Sequence, residues 1–320
     1  MDYDIFNGDA DGICALHQLR LQEPRPEATM ITGVKRDINL LNQIKDSSPN
    51  RLTVLDISLD RNRNSLEEQL LAGAKVLYID HHFAGEIPDH ANLTTHIDPA
   101  AEICTSLIVD QLVDGRFRAW AVAAAFGDNL HDAARAAASG LNLSQNQLNQ
   151  LRELGELLNY NGYGATLSDL YFHPAALYQA LQPYEDPFDF LNSAPELQTL
   201  RQGYQEDMLL AAKQEETTLP TIGRIYHFPD APWARRVAGV FSNLKAREKK
   251  DLAHALVTAN PDQTLRISVR APLNKRENAD TLCRAFPTGG GRSAAAGINN
   301  LPPELLNKFL ISFEHTFARS

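Results

Sequence analysis

The stretch Tyr3-Asp4-Ile5-Phe6-Asn7-Gly8-Asp9-Ala10-Asp11-Gly12 carries the decision about fold. A short apolar strand pattern, Tyr3–Phe6, runs into two acids one alanine apart, and a helical pattern follows over Gly12–Leu21. A strand that breaks into a helix at an acid puts that acid at the strand's carboxyl end, where sheets of this class bind ligands. The unit recurs. Thr29–Val34 reads as a strand with a helix near Ile38–Ile44, Leu52–Ile57 as a strand with a helix near Ser65–Ala72, and Lys75–Ile79 as a fourth strand. Such alternation predicts an α/β fold with a parallel sheet covered on both faces.

The strand ends share a chemistry. The third gives Leu55-Asp56-Ile57-Ser58 and the fourth Asp80-His81-His82; Phe126-Gly127-Asp128-Asn129 follows an Ala-rich apolar helix. Taken singly, Asp9, Asp11, Asp56 or Asp80 is explained by helix capping. Adjacent histidines after a buried strand are not, and the four motifs together predict a metal site on one edge of the sheet. Carboxylate and imidazole without thiolate suit divalent manganese, with magnesium or cobalt as substitutes. Two such ions, ~3.5–4 Å apart, are an arrangement used for phosphoryl transfer.

The 320 residues suffice for two domains. A parallel-sheet domain is expected over 1–195, a polar connecting helix and linker over 196–221, and a smaller α/β domain over 222–320, with the active-site cleft between the domains. In the last part, Arg224–His227, Leu252–Thr258 and Leu265–Val269 read as strands, and Ser242–Lys249, Ala279–Ala285 and Pro303–Phe317 as helices. Residues 101–158 are helical in pattern, whereas 159–195 has no clear periodicity. Net charge is −10, which argues against a protein that coats long nucleic acid. The charge is divided: residues 223–320 hold 15 Lys and Arg against 8 Asp and Glu, and the remainder is strongly acidic. Two solvated surfaces of opposite sign explain this, as does an acidic metal domain beside an anion-binding one. Three scattered cysteines, no signal-peptide pattern in residues 1–5 and no apolar run of membrane-spanning length lead to the expectation of a reduced, cytoplasmic protein without membrane contact.

These motifs resemble the DHH phosphoesterase superfamily, whose name-giving triplet stands here as Asp80-His81-His82. The resemblance covers nearly the whole chain, leaving 159–195 unassigned. It implies Asp9, Asp11, Asp56, His81 and Asp128 as metal ligands, with Asp56 bridging two manganese ions and His82 facing the scissile phosphate. In many relatives a His or Asp precedes the two acids of the first motif; here Asn7 and Ile5 occupy that region. The run Thr288-Gly289-Gly290-Gly291-Arg292-Ser293-Ala294-Ala295-Ala296-Gly297 resembles the glycine-rich signature of the nucleotide-handling C-terminal domain, with Arg292 where a His is usual and an Ala-rich helix start after it. Arg270 in Ile267-Ser268-Val269-Arg270 resembles its substrate-contacting arginine. Gly289, Gly290 and Gly291 would bring backbone N–H groups to an anion that Arg270 and Arg292 clamp.

The resemblance therefore implies a phosphodiesterase cutting short oligonucleotides, linear dinucleotides such as pGpG or nanoRNA, to nucleoside 5′-monophosphates by two-metal hydroxide attack. A phosphatase of 3′-phosphoadenosine 5′-phosphate, a cyclic-dinucleotide phosphodiesterase and a non-catalytic nucleotide-binding regulator are the rival readings, and a homodimer is the candidate assembly. Elsewhere, His17 and Arg20 are expected at the surface, His90 and His96 in solvated loops, Trp120 and Trp233 in packing, and Lys245, Arg247, Lys249 and Lys250 on a solvated helix face.

Overall fold

The computed structural model describes residues 1–318 and divides them into two compact units, Met1–Gln202 and Gly203 onward. In the first unit a five-stranded sheet comprises β1 (Asp2–Phe6), β2 (Thr29–Thr32), β3 (Arg51–Leu55), β4 (Lys75–Asp80) and β5 (Leu93–Ile97). Its order is β2-β1-β3-β4-β5 and every pairing is parallel. Helices α1 (Ala10–Gln22), α2 (Leu59–Leu71), α3 (Thr105–Leu112), α4 (Arg118–Gly127), α5 (His131–Ala138), α6 (Gln145–Gly162), α7 (Pro174–Leu181) and α8 (Pro187–Ser193) belong to this unit, and α9 (Pro195–Ala212) begins in it and runs into the second.

Alternation along the strands builds two cores. Tyr3 and Ile5 of β1 join Leu52, Val54, Val76 and Tyr78 in a cluster closed by Leu59, Leu66 and Leu70 of α2. Phe6 points to the opposite face, where Ile13 and Leu16 of α1 are fully buried. The helix expected near Ile38–Ile44 is a 3-10 turn, Leu40–Gln43, and β5 is an unforeseen edge strand that carries His96.

Helix α1 corrects a second expectation. His17 and Arg20 are 1% and 7% exposed, not at the surface. The helix lies under the sheet and also packs on α3, α4, α6 and α7, so its polar residues have no solvent face. Arg20 and the Nε2 of His17 find internal partners, whereas His17 Nδ1 and Gln18 Oε1 are buried without a hydrogen bond. Arg20 makes a bidentate pair with Asp4, Nε–Oδ2 2.8 Å and Nη2–Oδ1 2.5 Å, and Nη2 also donates to Thr53 Oγ1 at 2.8 Å. His17 Nε2 lies 2.7 Å from the Tyr184 carbonyl, and burial pushes its pKa down to about 4. Trp120 is fully buried and donates Nε1–H to the Glu185 carbonyl.

Helices α4 and α6 meet at glycines. A Cβ on Gly155 would run into the Ala123 carbonyl oxygen and come within 2.8 Å of the Gly127 nitrogen. Gly155→Ala is therefore expected to destabilise the protein by about 1–3 kcal/mol through overpacking, read as a lower urea midpoint at unchanged m-value.

The second unit holds a six-stranded sheet, order β10-β11-β9-β8-β7-β6. Its strands are β6 (Glu216–Leu219), β7 (Gly223–Phe228), β8 (Ala253–Ala259), β9 (Leu265–Arg270), β10 (Gly289–Arg292) and β11 (Ala295–Leu301). Helix α10 (Pro232–Glu248) packs on β8 and β9; α11 (Ala279–Arg284) and α12 (Leu306–Ala318) share the core of Leu282, Phe309, Phe313 and Phe317 with Ile267 and Val269. The Ala-rich segment after the glycines is not a helix start. It is β11, which pairs with β10 on one side and β9 on the other, and ladder pairing overrides alanine's helical preference. Among the described residues no helix is long and apolar enough to cross a membrane.

Candidate metal centre

Each side chain of the centre is delivered by the end of an element. Asp9 is the N-cap of α1: its Oδ1 accepts the N–H groups of Asp11 (3.0 Å) and Gly12 (3.1 Å). The capping role is thus real, but Oδ2 is turned the other way, onto the Lys35 ammonium. Asp11 is fully buried one turn-step later. Its two oxygens accept the backbone N–H groups of Thr105 and Ser106, each at 2.7 Å. Those residues open α3, and a helix N-terminus favours a negative charge there.

Asp56 leaves β3 in the left-handed conformation, φ +59°, which Asp tolerates better than most residues. Its Oδ1 accepts the Thr105 hydroxyl at 3.2 Å. His81 Nδ1 lies 2.9 Å from the Ile103 carbonyl, which can only accept, so Nδ1 carries the proton. Nε2 is left facing Asp56 Oδ1 at 3.4 Å and Asp128 Oδ2 at 3.6 Å. A histidine held by a carbonyl on one nitrogen and open on the other has the arrangement of a metal ligand. His82 Nδ1 is 2.7 Å from Asp80 Oδ1, and Asp80 is fully buried. Asp128 caps the C-terminus of α4.

Burial raises the Asp56 pKa well above the ordinary carboxylate range, and the neighbouring Asp11, Asp9 and Asp128 charges raise it further. Burial, then Asp128, also pushes Asp11 up. Asp9 goes the other way: burial opposes its charge, but Lys35 outweighs it. For His82 burial opposes the charge and the Asp80 hydrogen bond outweighs that, so its pKa rises. Two buried carboxylates, Asp11 and Asp56, and the half-buried Asp128 around one imidazole are an excess of negative charge that a divalent cation would offset. The donor atoms fit one: ligand atoms of Asp11, His81 and Asp128 lie within 4.8 Å of one another, as do those of Asp56, His81 and His82.

Lys35 has no counterpart among the expected site residues. It follows β2 on the same sheet edge, and its Nζ donates to Asp9, to Asp128 Oδ1 at 2.9 Å and to Asn159 Oδ1 at 3.2 Å. Burial disfavours its charge, but Asp9 and Asp128 hold the ammonium well above its usual pKa. The available signal was its position: like the acids of β1 and β3, it stands just past a strand end.

In the second unit, Arg270 of β9 pairs in register with Ala295 of β11, and Ala295 with Arg292 of β10. Residues on one rung share a face, so Arg270 and Arg292 flank one small residue, with Gly289, Gly290 and Gly291 along the edge strand. Arg270 is held by Asn243 Oδ1 (2.8 Å) and Ser268 Oγ (3.0 Å).

No family model matches the chain, and no curated protein sequence does. Solved structures do match over its whole length. A DHH domain described as a member of a family of ribosomal proteins superposes with a TM-score of 0.60 at 13% identity, covering 98% of this chain and 85% of the other. The chain has the DHH fold. The exonuclease RecJ bound to manganese shares this fold with a TM-score of 0.56 at 17% identity over 99% and 90% of the two chains. A pGpG-specific phosphodiesterase from Vibrio cholerae gives 0.56 at 13% identity, with 99% of each chain covered. At such identities the likeness is one of DHH fold. Within that fold, the structure brings Asp9, Asp11, Asp56, Asp80, His81, His82 and Asp128 to one edge of the parallel sheet.

Proposed function

We propose that this chain is a metal-dependent phosphodiesterase that hydrolyses short linear oligonucleotides, with dinucleotides such as pGpG foremost, to nucleoside 5′-monophosphates. The observation that carries this reading is the convergence of Asp11, Asp56 and Asp128 on the open Nε2 of His81. When bound, a divalent ion there supplies Lewis acidity, a more acidic water and neutralisation of phosphoryl charge.

The chain's own residues do the rest. Asp11 is held by two amides and His81 by the Ile103 carbonyl, so neither needs to reorganise when substrate enters. His82, oriented and kept basic by Asp80, offers Nε2 to a phosphoryl or leaving-group oxygen, as an acid or a hydrogen-bond donor. In the second unit, Arg270 and Arg292 beside the glycine edge strand suit a phosphate group. The overall charge of −10 and one short basic rung favour a few nucleotides over a long strand.

The test is a panel of pGpG, pApA, a five-nucleotide RNA, 3′-phosphoadenosine 5′-phosphate, a cyclic dinucleotide and pyrophosphate, each with added manganese and products separated by chromatography. Monophosphates released fastest from the linear dinucleotides are the expected result. Release of inorganic phosphate from the monoester alone, or no turnover of any member, would overturn the substrate class.

A further inference from the structure

We infer that the Lys35 ammonium takes the place of one of the two divalent ions, so that the chain binds a single ion centred on His81. This rests on the metal-dependent reading above and alters its cation count.

The ammonium has three N–H donors and meets three acceptors: Asp9 Oδ2, Asp128 Oδ1 and Asn159 Oδ1. Asp9 Oδ1 accepts two N–H groups at the start of α1, which fills both of its acceptor positions and leaves an ion only Oδ2, the oxygen that the ammonium holds, whereas each Asp11 oxygen accepts one N–H and keeps a position open. Among the described residues, neither group of donors close enough to hold an ion includes Asp9; both centre on His81. Asp9 therefore lies on the side served by lysine, Asp11 and Asp56 on the side open to a metal, and Asp128 turns Oδ1 to the lysine and Oδ2 to His81.

Lys35 is fixed there by its backbone. Its N–H donates to the Gly162 carbonyl at 2.9 Å, and its carbonyl accepts from Asn7 Nδ2 at 3.2 Å. Asn7 and Ile5 occupy the region where the resemblance expects a His or Asp, so no charged or imidazole ligand stands there, and the Asn7 amide secures the lysine. A second divalent ion on Asp9 and Asp128 would share oxygens with a fixed positive charge, and their repulsion grows with the product of the charges. Asn7 Oδ1 is buried without a hydrogen-bond partner and is a neutral donor a second ion could gain, so the number of ions is the discriminating quantity.

The experiment is manganese titration of the metal-free full chain by calorimetry, with native mass spectrometry for the count. One ion in the wild type and two in Lys35→Met are expected. Asp9→Asn, which keeps a capping side chain, is expected to retain one ion with affinity changed less than about threefold, or ~0.65 kcal/mol. Two ions in the wild type, no gain in Lys35→Met, or loss of the ion in Asp9→Asn overturns the inference. If Lys35→Met does not fold, the wild-type count and Asp9→Asn decide it. No ion in the wild type overturns the inference together with the metal-dependent reading, whereas two ions overturn the inference alone.

Discussion

Asp56→Asn is expected to lower kcat for a linear dinucleotide by at least about 10³-fold, roughly 4 kcal/mol of transition-state stabilisation. The reason is the position of the carboxylate. Asp56 is 2% exposed, has its Oδ1 3.4 Å from His81 Nε2 and belongs to a group of ion-capable donors. Asparagine keeps the shape, tolerates the positive φ and still accepts from Thr105 Oγ1, so the fold has no reason to change. It also removes one member of a crowded set of buried carboxylates. The metal-free variant is therefore expected to melt at or above the temperature of the metal-free wild type, a trade of stability against activity common at functional sites. Steady-state kinetics and calorimetry on the same preparation check both. Activity within tenfold of wild type would remove Asp56 from the chemistry.

Arg20→Met is expected to cost about 3–5 kcal/mol of folding stability, because it leaves the Asp4 carboxylate buried without its partner. Asp4 and Arg20 are 3% and 7% exposed, and both ends of the carboxylate are bonded to the guanidinium. The loss does not measure the worth of the pair. Removing both charges with Asp4→Leu and Arg20→Met is expected to recover much of it. Urea unfolding of the two single variants and the double variant forms the cycle. A single-variant loss below about 1 kcal/mol would mean that water reaches Asp4 and compensates it.

The part of the fold read from the sequence is the part with a local signature. Strands β1, β3 and β4 are apolar runs that end in an acid or imidazole, so their pattern and their chemistry mark the same point in the chain. Helix α1 shows the limit. Its residues from Ala10 to Gln18 are all buried, because it is covered from several sides, and a helix with no solvent face has no amphipathic stripe to read. Polarity alone suggests a surface position for His17 and Arg20, and burial against internal partners overrides it. The β10–β11 hairpin is hidden for another reason: Gly290 faces Gly297 and Ala296 faces Val269, and such pairings belong to the sheet rather than to local propensity.

Within the candidate centre, the strand-end acids and histidines are legible and Lys35 is not. A lysine past a strand end is usually solvated. Its role depends on Asp128 and Asn159, which lie 93 and 124 residues away. Asn159 is out of reach too, since it sits near the end of α6 at the start of a segment without clear periodicity.

The measurement that tests the account most directly is release of GMP from pGpG by the purified full chain, before chelation, after chelation and after manganese is restored. Turnover that is abolished by the chelator and returned by manganese, with Asp56→Asn inactive throughout, is the predicted result. Turnover that survives complete metal removal, or that Asp56→Asn retains, would contradict it.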